Sequence, residues 1–539
     1  MKIGSRSAAL LLICATAIAQ TTSDQQCGDQ WWAHVRVLAD PAMKGRLTGS
    51  EEYLKAAAYV VDQFKQWGLK PAGVNGTYYQ PVRFDVQRVV AEKSRLTLIG
   101  GDHETPLVIG LDAVLSTRMQ QPARVEAPLI FLGYGLNLPE SNYNDFDSKE
   151  LPRSALKGKI IVIVNGGPAD LPAPLKSYAR TAPLIRAIRA AGALGVISIP
   201  TPKSMDFGWQ RIASNSAQPG MRLAAISEDT IDSRQKDLFT ATYNPDQAEK
   251  LFQGSPHTFA EILALTDAQK PLPRFPLARS LRATITTENT QVESPNIAAM
   301  LSGSDPTLRS QYVIVSAHLD HLGVGASIHG KTIYAGAMDD ASGVATVLET
   351  ARTLSRGERP RRSILFLVFT AEEKGLLGSR FFAGRPTVPQ ASIVADLNLD
   401  MFMPIFALKR LHVQGLEQST LGDAVREVGA AHNIEIALDP EPDRNSFVRT
   451  DQYSFVQAGV PALAMKFGWT ADSPEYKAWR AWLAERYHST DDDLTQPVDL
   501  VAAAQFNSFF ADLARAVADN PSRPHYLETS FFKRFESSQ

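Results

Sequence analysis

Residues 363–373 have the sequence SILFLVFTAEE, in which a run of strand-forming residues leads directly into two adjacent glutamates. An apolar run without alternation predicts a strand that is buried on both faces, as in a parallel sheet covered by helices. Two adjacent carboxylates repel each other and are costly to bury, so a cation is expected near Glu372 and Glu373. The residues that follow the other predicted strands indicate the identity of this cation.

The C-terminal half of the chain repeats this alternation of apolar strands and helices. A helix is predicted over 342–354, because its apolar residues recur on one face. The pattern predicts an α/β fold in which a mostly parallel-centred mixed sheet is sandwiched by helices. The chemistry of such sheets collects at the carboxyl ends of the strands. The predicted strands are Tyr312–Ser316, Ile364–Phe369, Ile393–Leu399 and Pro461–Phe467.

The N-terminal third adds one clear helix and an inserted region. Ser50 can cap a helix that ends before Gly68, and two strands are predicted near 78–86 and 94–99. Residues 118–285 contain short β runs with frequent proline and glycine, which predicts an inserted β-rich domain without chemistry of its own. The predicted apolar face of the helix consists of Leu54, Ala58, Val61 and Phe64.

Composition and the first residues suggest an exported globular protein. A length of 539 residues predicts two or three domains, and a net charge of -2 favours neither nucleic acid nor an anionic membrane as a partner. Residues 1–19 have the layout of a secretory signal that is cut near Ala19, which predicts a periplasmic or extracellular protein. The apolar run is too short for a membrane anchor, and no other stretch predicts a span. Loss of Cys14 with the signal would leave Cys27 without an intrachain partner.

Acidic residues and histidines follow the predicted strands. His318, Asp320 and His321 follow the first strand, and the loop with Asp339 and Asp340 opens the helix after it. Glu372 and Glu373 follow the second strand, Asp400 follows the third, and Tyr487-His488 comes later. Each motif alone could be a helix cap or a surface charge, but together they would place two imidazoles and at least four carboxylates at one sheet edge.

Divalent metal ions resolve the repulsion within such a cluster. Imidazole and carboxylate ligands together suit zinc, with cobalt or manganese as possible substitutes. One bridging carboxylate, with one histidine and one further carboxylate for each ion, would use five residues, so the sequence predicts two metal ions. Open coordination positions would remain for water and substrate, as in a catalytic site.

These motifs resemble those of the M28 family of zinc-dependent exopeptidases, which includes bacterial secreted aminopeptidases. The quoted segments are His318–Gly323, Gly336–Gly343, Ala371–Gly375, Leu397–Met401 and Tyr487-His488. The resemblance covers about residues 30–117 and 286–517, and residues 518–539 would form a tail. The insert at 118–285 more loosely resembles a protease-associated (PA) domain. The position of the insert before His318 fits M28 rather than the M20 family, which has a similar ligand series.

The resemblance implies a role for each motif residue. His318 and Asp400 would hold one zinc, Glu373 and His488 the other, and Asp339 would bridge them. Asp320 would orient His318, and a cis peptide would join Asp339 to Asp340. Glu372 would be the general base that takes a proton from metal-activated water. The expected activity is hydrolysis of N-terminal residues from peptides or proteins with a free N-terminus.

The substrate-binding residues and the reaction are less closely defined. Relatives often have Ser-Asp-His where this chain has Thr450-Asp451-Gln452, so Asp451 is interpreted as a wall residue near the substrate. Tyr487 and Phe447 are further substrate-binding candidates, and Phe455 and Trp469 could line an apolar pocket or belong to the core. The alternatives are a glutaminyl cyclase-like or carboxypeptidase-like member of the family, or a non-catalytic peptide-binding relative. The sequence does not indicate an oligomeric state.

Overall fold

A computed structural model describes residues 24–148, 151–224, 237–444 and 446–536, so the predicted signal lies outside the described residues. Contacts divide the chain into two units. The first unit consists of Met1–Val82, Ser294–Pro440 and Thr450–Gln539, and the second consists of Arg83–Glu293 and Glu441–Arg449. The predicted insert at 118–285 lies within the numbering of the second unit. The predicted division into peptidase and PA-like parts stays a prediction.

The strands are numbered here in chain order. They are β1 (Lys70–Pro71), β2 (Tyr79–Val89), β3 (Arg95–Gly100), β4 (His103–Leu107), β5 (Ala113–Leu115), β6 (Arg124–Phe131), β7 (Asn137–Leu138), β8 (Tyr143–Asn144), β9 (Ile160–Val164), β10 (Gly195–Ile199), β11 (Gly220–Leu223), β12 (Phe239–Tyr243), β13 (Phe275–Thr284), β14 (Thr287–Leu301), β15 (Tyr312–His318), β16 (Gly323–Ile328), β17 (Lys331–Tyr334), β18 (Ser363–Phe369), β19 (Ile393–Asn398), β20 (Arg410–Gln414), β21 (Glu435–Leu438) and β22 (Ala462–Phe467).

The α-helices of the described residues are numbered in the same way. They are α1 (24–38), α2 (Glu51–Gln66), α3 (Ala173–Ala179), α4 (Ala182–Ala190), α5 (Trp209–Ser216), α6 (Glu249–Phe252), α7 (Phe259–Asp267), α8 (Ser342–Arg356), α9 (Leu377–Gly384), α10 (Leu421–Ala431), α11 (Gln452–Gln457), α12 (Pro474–Glu485) and α13 (Leu500–Asp519). No helix in this part of the chain combines the length and the apolar character that a membrane span needs.

The sheet of the first unit has a parallel centre. Its strand order is β14-β18-β15-β19-β22-β20-β21, and β1 pairs with β14. Strand β15 is parallel to both β18 and β19, and β19 is parallel to β22. Strand β14 runs antiparallel to β18, and β20 runs antiparallel to β22. The predicted fold class, a mixed α/β sheet with a parallel centre, is confirmed.

Burial on both faces explains the unbroken apolar run of β18. Ile364, Phe366 and Val368 belong to one core cluster, which includes residues of α1, α2, α8 and α13. Leu365, Leu367 and Phe369 belong to another, which includes Phe382 of α9 and Phe455 of α11. Successive side chains of a strand point to opposite faces, so helices cover both sides of this strand. Phe455 is therefore a core residue rather than part of a substrate pocket.

Helix α2 forms where the sequence predicts it, but its buried face differs from the prediction. Ser50 caps the helix by accepting a hydrogen bond from the N–H of Tyr53. Leu54 is 47% exposed and Ala58 is also exposed, so these two assignments to the core were wrong. Tyr53 is fully buried instead, and its hydroxyl donates to the carbonyl of Pro295 at 2.8 Å. The buried residues also recur at helical spacing, so the prediction selected a face rotated from the buried one.

The second unit has its own sheet and its own core. The strand order is β4-β3-β13-β6-β9-β10-β12-β5, and the parallel centre consists of β6, β9, β10 and β12. The side chains of α4 pack against this sheet. Residues 441–449 belong to this unit although the chain on both sides belongs to the first, and Asp206 pairs with both Arg444 and Arg449. Phe447 lies in this segment.

Candidate active site

Five strand ends and loops of the first unit bring the predicted metal ligands together. His318 is the last residue of β15, Glu373 follows β18, and Asp400 follows β19. Asp339 lies in the loop that precedes α8, and His488 lies in the loop after α12. Parallel strands end at the same sheet edge, which explains why residues so far apart in sequence meet here.

The two carboxylate oxygens of Asp339 face two different groups of donors. Asp339 Oδ1 lies 3.2 Å from His318 Nε2, and the same nitrogen lies 3.9 Å from Asp400 Oδ1. Asp339 Oδ2 lies 3.2 Å from His488 Nε2, which is also 3.2 Å from Glu373 Oε2. Asp339 is therefore the residue that the two groups share.

The donor atoms fit zinc by two observations. Buried atoms lack an aligned hydrogen-bond partner among the described residues, notably His318 Nε2, Asp339 Oδ2 and Asp400 Oδ1. Such atoms cost about 1–3 kcal/mol each unless something binds them. The 3.2 Å separations also suit ligation, because zinc bonds of about 2.0–2.1 Å in a tetrahedron place neighbouring ligand atoms about 3.3–3.4 Å apart.

Asp320 contacts the His318 ring through the Asp320 main-chain carbonyl. His318 Nδ1 lies 3.0 Å from the carbonyl oxygen of Asp320, a contact that fixes the orientation of a ligating imidazole. The Asp320 carboxylate has other partners, because its Oδ1 accepts the N–H of Glu372 and its Oδ2 accepts the hydroxyl of Thr48. Asp320 therefore orients His318 with its main-chain carbonyl. The Asp320 carboxylate instead positions the main chain at Glu372.

Asp340 holds three parts of the site together. The peptide bond between Asp339 and Asp340 is cis, as the resemblance implied. The fully buried carboxylate of Asp340 accepts hydrogen bonds from the N–H groups of His318, Gly343 and Met401. A Cβ atom at Gly343 would lie 2.4 Å from either carboxylate oxygen, so a glycine is required there.

Asp492 supports the loop that carries the shared ligand. Its buried carboxylate accepts the N–H of Met338 at 2.9 Å and the N–H of Asp339 at 3.0 Å. Gln496 donates to the same carboxylate at 2.9 Å. Asp492 lies four residues after His488, so it joins the loops of two candidate ligands. It was not among the residues predicted from the sequence, although its position in an acidic run behind the histidine was a visible signal.

Arg46 supplies a buried positive charge that the sequence analysis missed. Its guanidinium is fully buried and donates to the carbonyl oxygens of Leu38, Leu319, Ala335 and Gly336 at 2.6–2.9 Å. Burial lowers the pKa of Arg46 to about 10, although the nearby aspartates oppose this shift. Arg46 therefore adds a positive charge to those that the predicted metal ions would supply near the carboxylates. No local signal marks Arg46, because its partners are main-chain carbonyls and three of them lie more than 270 residues away.

His321 is a third imidazole beside the donors. It is fully buried, its Nδ1 lies 2.7 Å from Glu373 Oε1, and neither ring nitrogen has an aligned hydrogen-bond partner among the described residues. Donor atoms of His321, Asp339 and Glu373 lie close enough together to hold an ion. The 2.7 Å contact is shorter than the spacing of two ligands on one zinc ion, so His321 fits a neighbour that orients Glu373 better than a fellow ligand.

The adjacent glutamates have different environments. Ala371 adopts a left-handed conformation with φ 57°, which turns the chain sharply before Glu372. Burial and the carboxylates of Asp400, Glu373 and Asp451 raise the pKa of Glu372 well above its usual range, despite the opposing effect of His318. Burial also acts to raise the pKa of Glu373, but His488 and His321 lower it overall. Separated pKa values are typical of carboxylates with different roles.

The predicted substrate-binding residues have different positions. Asp451 is buried, and neither of its carboxylate oxygens has an aligned hydrogen-bond partner among the described residues. The ring of Tyr487 lies against that of ligand candidate His488, with centroids 4.1 Å apart. Trp469 is 8% exposed and packs against His412, which supports a core role. Phe447 belongs to the second unit, and its role stays a prediction.

Comparisons with known proteins relate part of the chain to a peptidase family and its fold to a solved structure. Residues 296–514 match the model of Peptidase family M28. A stretch of 208 residues is 28% identical to leupeptin-inactivating enzyme 1 of Streptomyces exfoliatus, covering 37% of this chain and 43% of that protein. A stretch of 204 residues is 31% identical to aminopeptidase NAALADL1 of Mus musculus, covering 36% of this chain and 25% of that protein. The match thus spans less than half the length of either relative.

A solved structure shares the fold over most of the chain. It is the aminopeptidase from Aneurinibacillus sp. strain AM-1, with a TM-score of 0.51 and 19% identity over 92% of this chain and 95% of that one. At this identity, the likeness concerns the α/β fold. Residues 296–514 are thus similar to peptidase family M28, whose model covers less than half of the chain.

Proposed function

We propose that this protein is an exported, zinc-dependent aminopeptidase that removes N-terminal residues from peptides. The observation that carries the proposal is the division of donors around Asp339, whose two oxygens face His318 on one side and His488 on the other. His318 and Asp400 would hold one ion, His488 and Glu373 would hold a second, and Asp339 would bridge them. Cobalt or manganese could replace zinc with these ligands.

Glu372 has the properties of the acid–base group in this reaction. When bound, the zinc ions would supply Lewis-acid activation of the attacking water and of the peptide carbonyl. Glu372 belongs to neither donor group among the described residues, and its pKa is raised. We assign it to take a proton from the water and to deliver it to the leaving amine. Asp320 fixes the N–H of Glu372 and so sets where this side chain begins.

The charges near the donors favour an N-terminal over a C-terminal substrate end. Glu372 and Asp451 are carboxyl groups that would attract the ammonium group of a peptide and repel its carboxylate when ionised. The guanidinium of Arg46 donates to four main-chain carbonyls, which leaves it poorly placed to bind a C-terminal carboxylate. Tyr487 would lie close to the substrate because its ring contacts His488. The predicted insert, residues 118–285, is proposed as a PA-like substrate-recognition domain.

Two neighbouring substitutions test the roles of the adjacent glutamates. Glu372→Gln should keep bound zinc but lose nearly all turnover, because the amide cannot accept the proton. Glu373→Gln should lower the zinc content, because it weakens one donor group. The measurements are elemental analysis and cleavage of aminoacyl substrates. Near wild-type cleavage by Glu372→Gln would refute the assignment of the base, and unchanged zinc in Glu373→Gln would remove it from the ligands.

Substrate polarity separates the remaining alternatives. The proposal predicts cleavage of peptides with a free N-terminus, no cleavage of the same peptides after N-acetylation, and loss of activity in the presence of a chelator. A C-terminally blocked peptide should still be cleaved, which a carboxypeptidase would not do. Formation of pyroglutamate from an N-terminal glutamine with one zinc per chain would instead support a cyclase.

A further inference from the structure

A short N-terminal segment braces the loop that follows β15. This bracing segment, Gly45–Thr48, lies outside the residues matched by the family model. The N–H of His321 donates to the carbonyl of Arg46 at 3.3 Å, and the N–H of Gly323 donates to the carbonyl of Gly45 at 3.1 Å. Leu47 forms a parallel bridge with His321. The segment therefore contacts the loop through main-chain bonds, although the left-handed φ values of Gly45 and Arg46 mean that it is a turn and not a strand.

Thr48 extends this bracing to the chain at Glu372. The Thr48 side chain is buried, and its hydroxyl donates to Asp320 Oδ2 at 2.9 Å. The other oxygen of the same carboxylate, Asp320 Oδ1, accepts the N–H of Glu372 at 3.0 Å. Both distances lie within the usual range for hydrogen bonds. Thr48, the Asp320 carboxylate and the Glu372 main chain thus form a continuous series of contacts.

The main chain at Glu372 depends on such an anchor. Ala371 precedes it in the left-handed region, which is unfavourable for a residue with a Cβ. Strained conformations of this kind persist only where surrounding contacts determine them. The carbonyl of Glu372 accepts the N–H groups of Gly375 and Leu376, and its N–H depends on Asp320. Without the bond from the Glu372 N–H to Asp320, only the Glu372 carbonyl would still be hydrogen-bonded at this residue.

We propose that Thr48 is a positioning residue for Glu372, acting through the carboxylate of Asp320. The hydroxyl holds the carboxylate in the orientation that receives the N–H of Glu372, and this fixes the direction in which the Glu372 side chain leaves the turn. The expected loss of turnover rests on the proposed function, because it takes Glu372 as the general base. The expected loosening of the Glu372 main chain is independent of the proposed function.

The test compares Thr48→Val, which removes the hydroxyl at nearly equal volume, with Thr48→Ser, which keeps it. Thr350→Val is the matched control, because Thr350 is fully buried and its hydroxyl has no hydrogen-bond partner among the described residues. The zinc-loaded proteins are compared by hydrogen exchange of the Glu372 amide, zinc content, thermal midpoint, and kcat and KM for an aminoacyl substrate.

In Thr48→Val, the Glu372 amide should exchange about tenfold faster, and kcat should fall about tenfold, with KM and zinc content unchanged. Thr48→Ser should restore both quantities, and Thr350→Val should change neither. Equal exchange in Thr48→Val and Thr350→Val would overturn the proposal, as would loss of zinc from Thr48→Val. If the wild-type protein cleaves no peptide, the proposed function fails, and amide exchange alone decides the role of Thr48.

Discussion

Asp492 offers the sharpest test of how the shared ligand is held. The substitution Asp492→Asn keeps the shape of the side chain but replaces one acceptor oxygen by an amide donor. The present carboxylate accepts the N–H groups of Met338 and Asp339 and the amide of Gln496, all within 3.0 Å. An asparagine in the same place can accept at one oxygen only, so at least one main-chain N–H would face another donor.

The magnitude follows from the bond that is lost. A hydrogen bond to a charged acceptor contributes about 1.5–3 kcal/mol, and an unsatisfied buried N–H costs a similar amount. Asp492 is fully buried, so solvent cannot replace the lost partner. If about 2 kcal/mol of this loss falls on the loop of Asp339, zinc affinity drops about 30-fold. A drop of this size lies within the 10- to 100-fold range that is usual for groups supporting metal ligands.

Competition with a chelator of known affinity measures the zinc dissociation constant directly. The control is Asp491→Asn, because the Asp491 side chain pairs with the exposed side chains of His329 and Lys331. Exposed pairs of this kind contribute about 0–1 kcal/mol, so zinc affinity should stay unchanged in the control. Equal zinc affinity in wild type and Asp492→Asn would refute the idea that Asp492 positions the shared ligand.

Three further predictions concern residues around the donors. His321→Ala should lower the zinc content of the site, whereas His321→Asn, whose polar amide can replace the 2.7 Å contact of Nδ1 with Glu373, should restore part of it. Equal zinc in both variants and wild type would exclude an orienting role. Gly343→Ala should lower the thermal midpoint, because its Cβ would meet the Asp340 carboxylate at 2.4 Å, whereas Gly384→Ala, with no atom within 4 Å, should leave the midpoint unchanged or slightly raised. Burial raises the pKa of Asp451 to about 7, so the folded metal-free chain keeps a proton there that the unfolded chain loses near pH 4. Its stability should therefore fall between about pH 4 and 7, and Asp451→Asn should flatten this dependence of the thermal midpoint.

The fold was largely predictable because its signals are local. The apolar run of 363–369 predicted a doubly buried strand, and both of its faces are covered by core clusters. The predicted apolar face of α8 is likewise buried. Leu54 shows where this reasoning was misapplied, because a second apolar series at the same helical spacing is the buried one. That series is Tyr53, Ala56, Ala57, Val60, Val61 and Phe64.

The site was predictable to the extent that its residues act through their own side chains at strand ends. Residues that act through main-chain contacts were missed, because the sequence does not show which N–H or carbonyl they meet. Arg46 binds four carbonyls, and Asp492 binds two N–H groups of the Asp339 loop. Thr48 is a further case, since its partner lies more than two hundred residues away in the chain.

The wide spacing of the donors along the chain bears on when the ions enter during folding. In a small zinc finger, nearby ligands allow the metal to organise the chain as it folds. Here the candidate ligands extend from His318 to His488, and each depends on a different strand end or loop. A complete donor set would therefore exist only after the long-range pairing of the sheet, which is a slow step in folding. Bound metal should accordingly slow unfolding much more than it accelerates refolding, so it would extend the lifetime of the native protein without serving as a template for its formation.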